Sequence, residues 1–97
     1  MKNRQEIILI LKRLKGYLRR RYKVKEVGIF GSLIKGHHTP KSDIDILVDF
    51  EHGADFLNLV GLSLYLEEKL NRRVDVVLKR VLREEIKDSV LKAIVFV

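Results

Sequence analysis

The chain has 97 residues, a formal net charge of +7, one proline and no cysteine. That length bounds one domain with a modest core, and the missing thiols exclude disulfides and thiolate metal sites and fit a reducing cytoplasm. Hydrophobic residues make up 46%, as in a folded protein, yet the longest apolar run, Ile7 to Leu11, is too short for a membrane span, and the N-terminal stretch lacks the apolar segment of a signal peptide.

The first elements carry most of the charge. Residues 1–25 hold ten of the twenty Lys and Arg and a single acid, Glu6, so this segment is strongly basic and the remainder slightly acidic. Such a segment suits a polyanion or an acidic partner surface. A solvated helix face explains it equally well, and direct nucleic-acid binding is the weaker reading. Residues 4–21 read as an amphipathic helix, with Ile7, Ile10, Leu11, Leu14 and Leu18 on one stripe at helical spacing.

Val24 to Phe30 alternates as a strand that ends at Gly31. A short helical turn is expected from Ser32 to Gly36, and "HHTPKS" reads as a loop around Pro40. Asp43 to Phe50 alternates again, placing Ile44, Ile46, Val48 and Phe50 on one face and Asp43, Asp45, Leu47 and Asp49 on the other. Residues 54–70 form a second helix with Asn71 as a left-handed C-cap. Val74 to Leu78 is a third strand, and 82–95 a final helix. This order predicts an α/β (α+β) fold, residues 1–97, in which a small mixed sheet carries its helices mostly on one face.

Two carboxylates inside a strand need an explanation. Strand rise puts Asp43 and Asp45 about 7 Å apart along one face, where they repel unless a positive group lies between them. A hard divalent cation such as Mg²⁺ takes oxygen ligands and fills that role. Asp75, in the strand RVDVVL, joins the same face if its strand is the neighbour, and three aspartates on adjacent strands can hold two ions. Gly31 ends a strand without a Cβ, so a phosphate can approach the backbone. Ser32 adds a hydroxyl, and the helical turn adds free N–H groups. Set against this is the plain alternative, that all three acids face solvent on an open sheet.

The pattern Gly31-Ser32, ten residues, Asp43-Ile44-Asp45 resembles the signature of the DNA polymerase β-like nucleotidyltransferase superfamily. The segments SDIDILVDF and LYLEEKLNRRVDVV resemble its minimal nucleotidyltransferase (MNT) branch, over about Val27 to Val77. The resemblance implies a nucleotidyltransferase fold, with Mg²⁺ (two ions) held by Asp43, Asp45 and Asp75 and the ATP triphosphate held by Gly31, Ser32 and Lys35. It implies transfer of AMP from ATP to a hydroxyl of a partner protein, and pairing with a HEPN-domain ribonuclease toxin, as in HEPN/MNT toxin–antitoxin systems. Two positions that are arginine in many members are Leu33 and Lys35 here; Lys35 keeps the charge but cannot make a bidentate fork to phosphate.

Larger members append a substrate domain, so a partner protein or a second copy of the chain is expected to complete the site, unless the acceptor docks unaided. Two rival functions stand beside the enzyme: a non-catalytic antitoxin that covers its partner stoichiometrically, and a nucleotide-binding module without catalysis. Other residues are given ordinary roles. His37 and His38 read as solvated loop, Asp49 as surface, and Tyr17, Tyr22 and Tyr65 as packing. Lys79, Arg80 and Arg83 read as phosphate or partner contacts or as a charged helix start.

Overall fold

A computed structural model of the chain describes residues 3–36, 39 and 42–97, with nothing described of the side chains at 32 and 35. The elements run α1 (Arg4–Tyr22), β1 (Val24–Phe30), α2 (Ser32–Lys35), β2 (Ile44–Phe50), α3 (Phe56–Leu70), β3 (Val74–Leu78), a 3₁₀ turn (Lys79–Val81), α4 (Glu84–Ala93) and β4 (Val95–Phe96). The sheet order is β3-β2-β1-β4. β1 is antiparallel to β2 and β4, while β2 and β3 are parallel. The predicted small mixed sheet is therefore observed.

The helix ends follow from local chemistry. Asn3 caps α1 by accepting from the Glu6 N–H at 2.9 Å, which satisfies one of the donors a helix start leaves free. Asp55 and Asn58 form a capping box at the start of α3, with reciprocal bonds of 3.1 and 2.9 Å. The expected left-handed cap at Asn71 is present, with φ +53°. Both long helices pack on one sheet face. Ile7, Leu11 and Leu18 from α1 and Leu62, Leu66 and Leu70 from α3 bury against Val27, Ile29, Ile44, Ile46 and Val48. Tyr17 and Tyr22 of α1 meet Tyr65 of α3 at the seam between these helices, with ring centroids 5.0 to 6.2 Å apart. Their expected role in packing is met, and Gly61 gives Tyr22 room: a Cβ there would lie 2.9 Å from its ring.

The end of the chain differs from the sequence reading. The last helix stops at Ala93, and Val95–Phe96 pairs with Ile29 and Gly28. Gly28 makes this possible, since a Cβ there would lie 2.6 Å from Ile94. Gly28 alternates with the core residues Val27 and Ile29, so Ile94 and α4 flank the second face of the sheet. Leu47, paired with Gly28, is buried on that face. Among the described residues no helix is long and apolar enough to cross a membrane.

Candidate active face

The second face gathers the acids at one end of the sheet. Because β1 runs against β2 and β3, the end of β1 at Gly31 lies beside the starts of β2 and β3. Asp45 pairs with Asp75 across the parallel strands and with Phe30 across the antiparallel ones. Register partners on neighbouring strands sit about 4.8 Å apart and point the same way, so the carboxylates of Asp45 and Asp75 are neighbours. Asp43 precedes β2 by one residue and is held by backbone on its C-terminal side, where the Ile44 N–H donates to the Arg73 carbonyl at 2.9 Å. Its carboxylate lies 4.0 Å from Arg73 Nε, a loose pair with both side chains well exposed.

Gly31 touches this group directly. Its φ is +76°, and a Cβ built there would overlap Asp45 Oδ2 and lie 2.9 Å from Asp45 Cγ. Both facts demand glycine. The turn closes with the Ile34 N–H donating to the Gly31 carbonyl at 3.1 Å, and Gly36 leaves it at φ +82°. Leu33, at one of the two positions often arginine in similar proteins, is buried in the core and not in the acidic face. The side chains of Ser32 and Lys35, and the residues His37 and His38, lie outside the described set. Phe30 and Gly31 also line a cleft of about 160 Å³ with Ser89, Val90 and Ala93 of α4.

These residues fit a divalent cation by the chemistry of their donors. The three sequence-predicted acids offer hard carboxylate oxygens from two adjacent strands, the ligand type that Mg²⁺ takes. Among the described residues no three acids or histidines are already drawn into a metal-holding group. Asp45 and Asp75 are brought together, while Asp43 faces Arg73. Moving it costs little, since an exposed pair of this kind is worth less than about 1 kcal/mol.

Toward the other end of the same face the charges are internally matched. Lys79 Nζ donates to Glu26 Oε1 at 2.9 Å, and this bond, reinforced by the Glu26 charge, raises the lysine above its ordinary value. Arg80 Nη2 donates to Asp49 Oδ1 at 3.0 Å and to the Phe50 carbonyl at 2.9 Å. Asp49 is therefore not plain surface: its side chain is 19% exposed and tied to Arg80. The larger apolar hollow lined by Phe50, Ala54, Phe56, Leu59 and Leu78 lies at the far ends of β2 and β3, away from the acidic group. Sequence reasoning missed Arg72 and Arg73, which reach the Asp43 segment from the turn before β3. Nothing local in "NRRVD" signals that reach.

The chain is similar to known proteins over nearly its whole length. Residues 11–97 match the family described as nucleotidyltransferase domain. Protein adenylyltransferase MntA of Thermococcus cleftensis is 44% identical over 93 residues, which span 96% of this chain and 94% of that protein. A solved structure described as a candidate minimal nucleotidyltransferase superposes with a TM-score of 0.76 at 33% identity, covering 92% of this chain and 93% of the other. A chain from a crystal structure of a toxin–antitoxin with AMP-PNP gives a TM-score of 0.69 at 25% identity, covering 88% and 70%.

Proposed function

The chain belongs to the nucleotidyltransferase family and is an enzyme of that class, and we propose that it transfers AMP from ATP to a hydroxyl of a partner protein, a HEPN-domain toxin. The observation that carries this reading is the contact of Gly31 with Asp45 beside Asp75: a strand end stripped of its Cβ, set against paired carboxylates. Support for the nucleotide and the partner comes from the adenylyltransferase name of the Thermococcus relative and from the toxin–antitoxin structure with AMP-PNP.

In this reading Asp43, Asp45 and Asp75 hold Mg²⁺, and Gly31, Ser32 and Lys35 hold the triphosphate. Bound Mg²⁺ supplies charge neutralisation along the triphosphate and a lowered pKa for the acceptor hydroxyl. The acceptor oxygen attacks the α-phosphorus, the bond to the β-phosphate oxygen breaks, and pyrophosphate leaves. Asp75, the more exposed of the strand-paired acids, takes the hydroxyl proton. The room that Gly31 leaves where a Cβ would stand is taken by the Asp45 carboxylate, which is thereby kept in one place, so in this reading Gly31 would meet the phosphates through its backbone.

The acceptor follows from the size of the face. Asp43 and Asp75 are exposed at the sheet end, so the face can receive a protruding side chain such as a tyrosine of the toxin. The basic face of α1, with Lys12, Arg13, Lys15, Arg19, Arg20 and Arg21 exposed, lies on the sheet side opposite the acids and suits an acidic surface of that partner apart from the acceptor side chain. AMP added near a ribonuclease site would place negative charge where RNA phosphates bind and repel them. The test mixes a trace of the protein with excess toxin, ATP and Mg²⁺ and takes intact masses. Toxin heavier by AMP at many turnovers is expected. Unmodified toxin, inhibited only at one-to-one ratio, would leave the stoichiometric antitoxin in its place.

A further inference from the structure

We propose that Arg72 is a positioning residue: it clamps the backbone that delivers Asp43 to the acidic face, and so governs how tightly that face holds a divalent cation. The inference rests on the assignment of Asp43, Asp45 and Asp75 as the cation ligands.

Arg72 follows Asn71, whose φ of +53° turns the chain sharply out of α3. Its Nη2 then reaches residues 33 and 30 positions earlier, donating to the Thr39 carbonyl at 3.1 Å and the Ser42 carbonyl at 2.5 Å. Thr39 and Ser42 are themselves tied together. The Ser42 N–H donates to the Thr39 carbonyl at 3.0 Å, and the Thr39 N–H to Ser42 Oγ at 3.1 Å. The Ser42 carbonyl belongs to the peptide unit that ends at the Asp43 nitrogen. On the other side of Asp43, the Ile44 N–H is bound to the Arg73 carbonyl at 2.9 Å. Asp43 is thus gripped before and after by the same two residues, 72 and 73.

The guanidinium is set into the fold at this place: the residue is half-buried and its Nη1 is buried. The two charge-assisted bonds to carbonyls are what the position gains. Arg73 is the contrast: its side chain is 87% exposed and 4.0 Å from the Asp43 carboxylate, and among the described residues it makes no side-chain bond to backbone.

The two arginines make opposite predictions, which separates positioning from charge. Removing a cation near carboxylates should by Coulomb attraction alone tighten binding of a metal ion. Removing a group that positions a ligand should weaken it, as outer-shell partners do by about 10–100-fold. The experiment titrates the full chain with Mn²⁺ in the presence of a non-hydrolysable ATP analogue and no acceptor, reading free Mn²⁺ by electron paramagnetic resonance. Arg72→Ala should bind Mn²⁺ about 10-fold or more weakly, and Arg73→Ala should bind as well as the parent or better. Arg72→Lys serves if the alanine variant does not fold; it keeps the charge and loses the planar fork, and weaker binding is again expected. Arg72 variants that match or exceed the parent affinity overturn the inference while leaving the ligand assignment intact. A parent protein that binds no more Mn²⁺ than Asp45→Asn overturns both.

Discussion

Gly31 and Gly36 share a left-handed backbone, with φ +76° and +82°, but differ in what surrounds them: Gly31 presses on Asp45, and Gly36 has nothing among the described residues within 4 Å of a built Cβ. Alanine at either position pays for the left-handed conformation, about 1–2 kcal/mol. At Gly31 the Asp45 carboxylate must also leave its rotamer, a further cost of about 0.5–1.5 kcal/mol. In urea unfolding, Gly31→Ala should therefore have a midpoint lower than that of Gly36→Ala by about 0.2 to 1.5 M. Adding Asp45→Ala to Gly31→Ala should recover that difference, giving a coupling of about 0.5–1.5 kcal/mol in a double-mutant cycle. Function should fall more steeply, because a displacement of about 1 Å in a reacting group costs on the order of a hundredfold in rate. The assay is AMP transfer followed by intact mass, beside the unfolding curves. Equal midpoints for the two alanine variants, with no coupling to Asp45, would refute the close approach and the role built on it.

Asp45→Asn removes a charge at nearly constant volume, so circular dichroism should be unchanged while metal-dependent AMP transfer disappears; parent-like transfer would remove Asp45 from the site. Asp43→Asn in metal-free protein should leave the melting temperature unchanged or slightly raised, since its exposed partner at 4.0 Å contributes less than about 1 kcal/mol, and a large drop would indicate a structural role. Asp55→Ala breaks the capping box of α3 and should cost about 1 kcal/mol, read as about 4–8 °C in melting temperature. Lys79 is held above the ordinary lysine value of 10.5 by its bond to Glu26, so it stabilises the fold fully below that pH and loses the contribution as pH rises through its folded value. The stability gap between the parent and Lys79→Met should be constant from neutral pH to about 10.5 and close above it; a gap that persists at higher pH would refute the pairing.

What the sequence made legible was local or periodic. Alternation in 44–50 assigned its faces correctly, and parallel pairing of β2 with β3 set Asp75 beside Asp45. Asn71 was readable as a cap because few residues tolerate positive φ. The misses came from contacts between distant positions. Residues 82–95 carry an amphipathic pattern that continues past the true helix end; β4 forms because Gly28, far back in β1, leaves room for Ile94. Asp49 is covered by an arginine 31 residues later, and the Asp43 segment is held by one 30 residues after Ser42. Long side chains such as these reach too far, in too many directions, for spacing to reveal their targets.

The tyrosine seam decides what optical measurements on this protein can see. The chain has three tyrosines and no tryptophan, and all three rings meet between α1 and α3, on the sheet face opposite the aspartates. Its near-ultraviolet absorption and emission are therefore a private signal of that helix pair. Ring coupling across the seam gives a near-ultraviolet dichroism band that vanishes when the helices part, so a thermal or denaturant scan at these wavelengths follows separation of α1 from α3. A ligand on the acidic face that leaves α1 and α3 in place would leave the same band flat, so a flat titration by intrinsic fluorescence would not show that face to be empty.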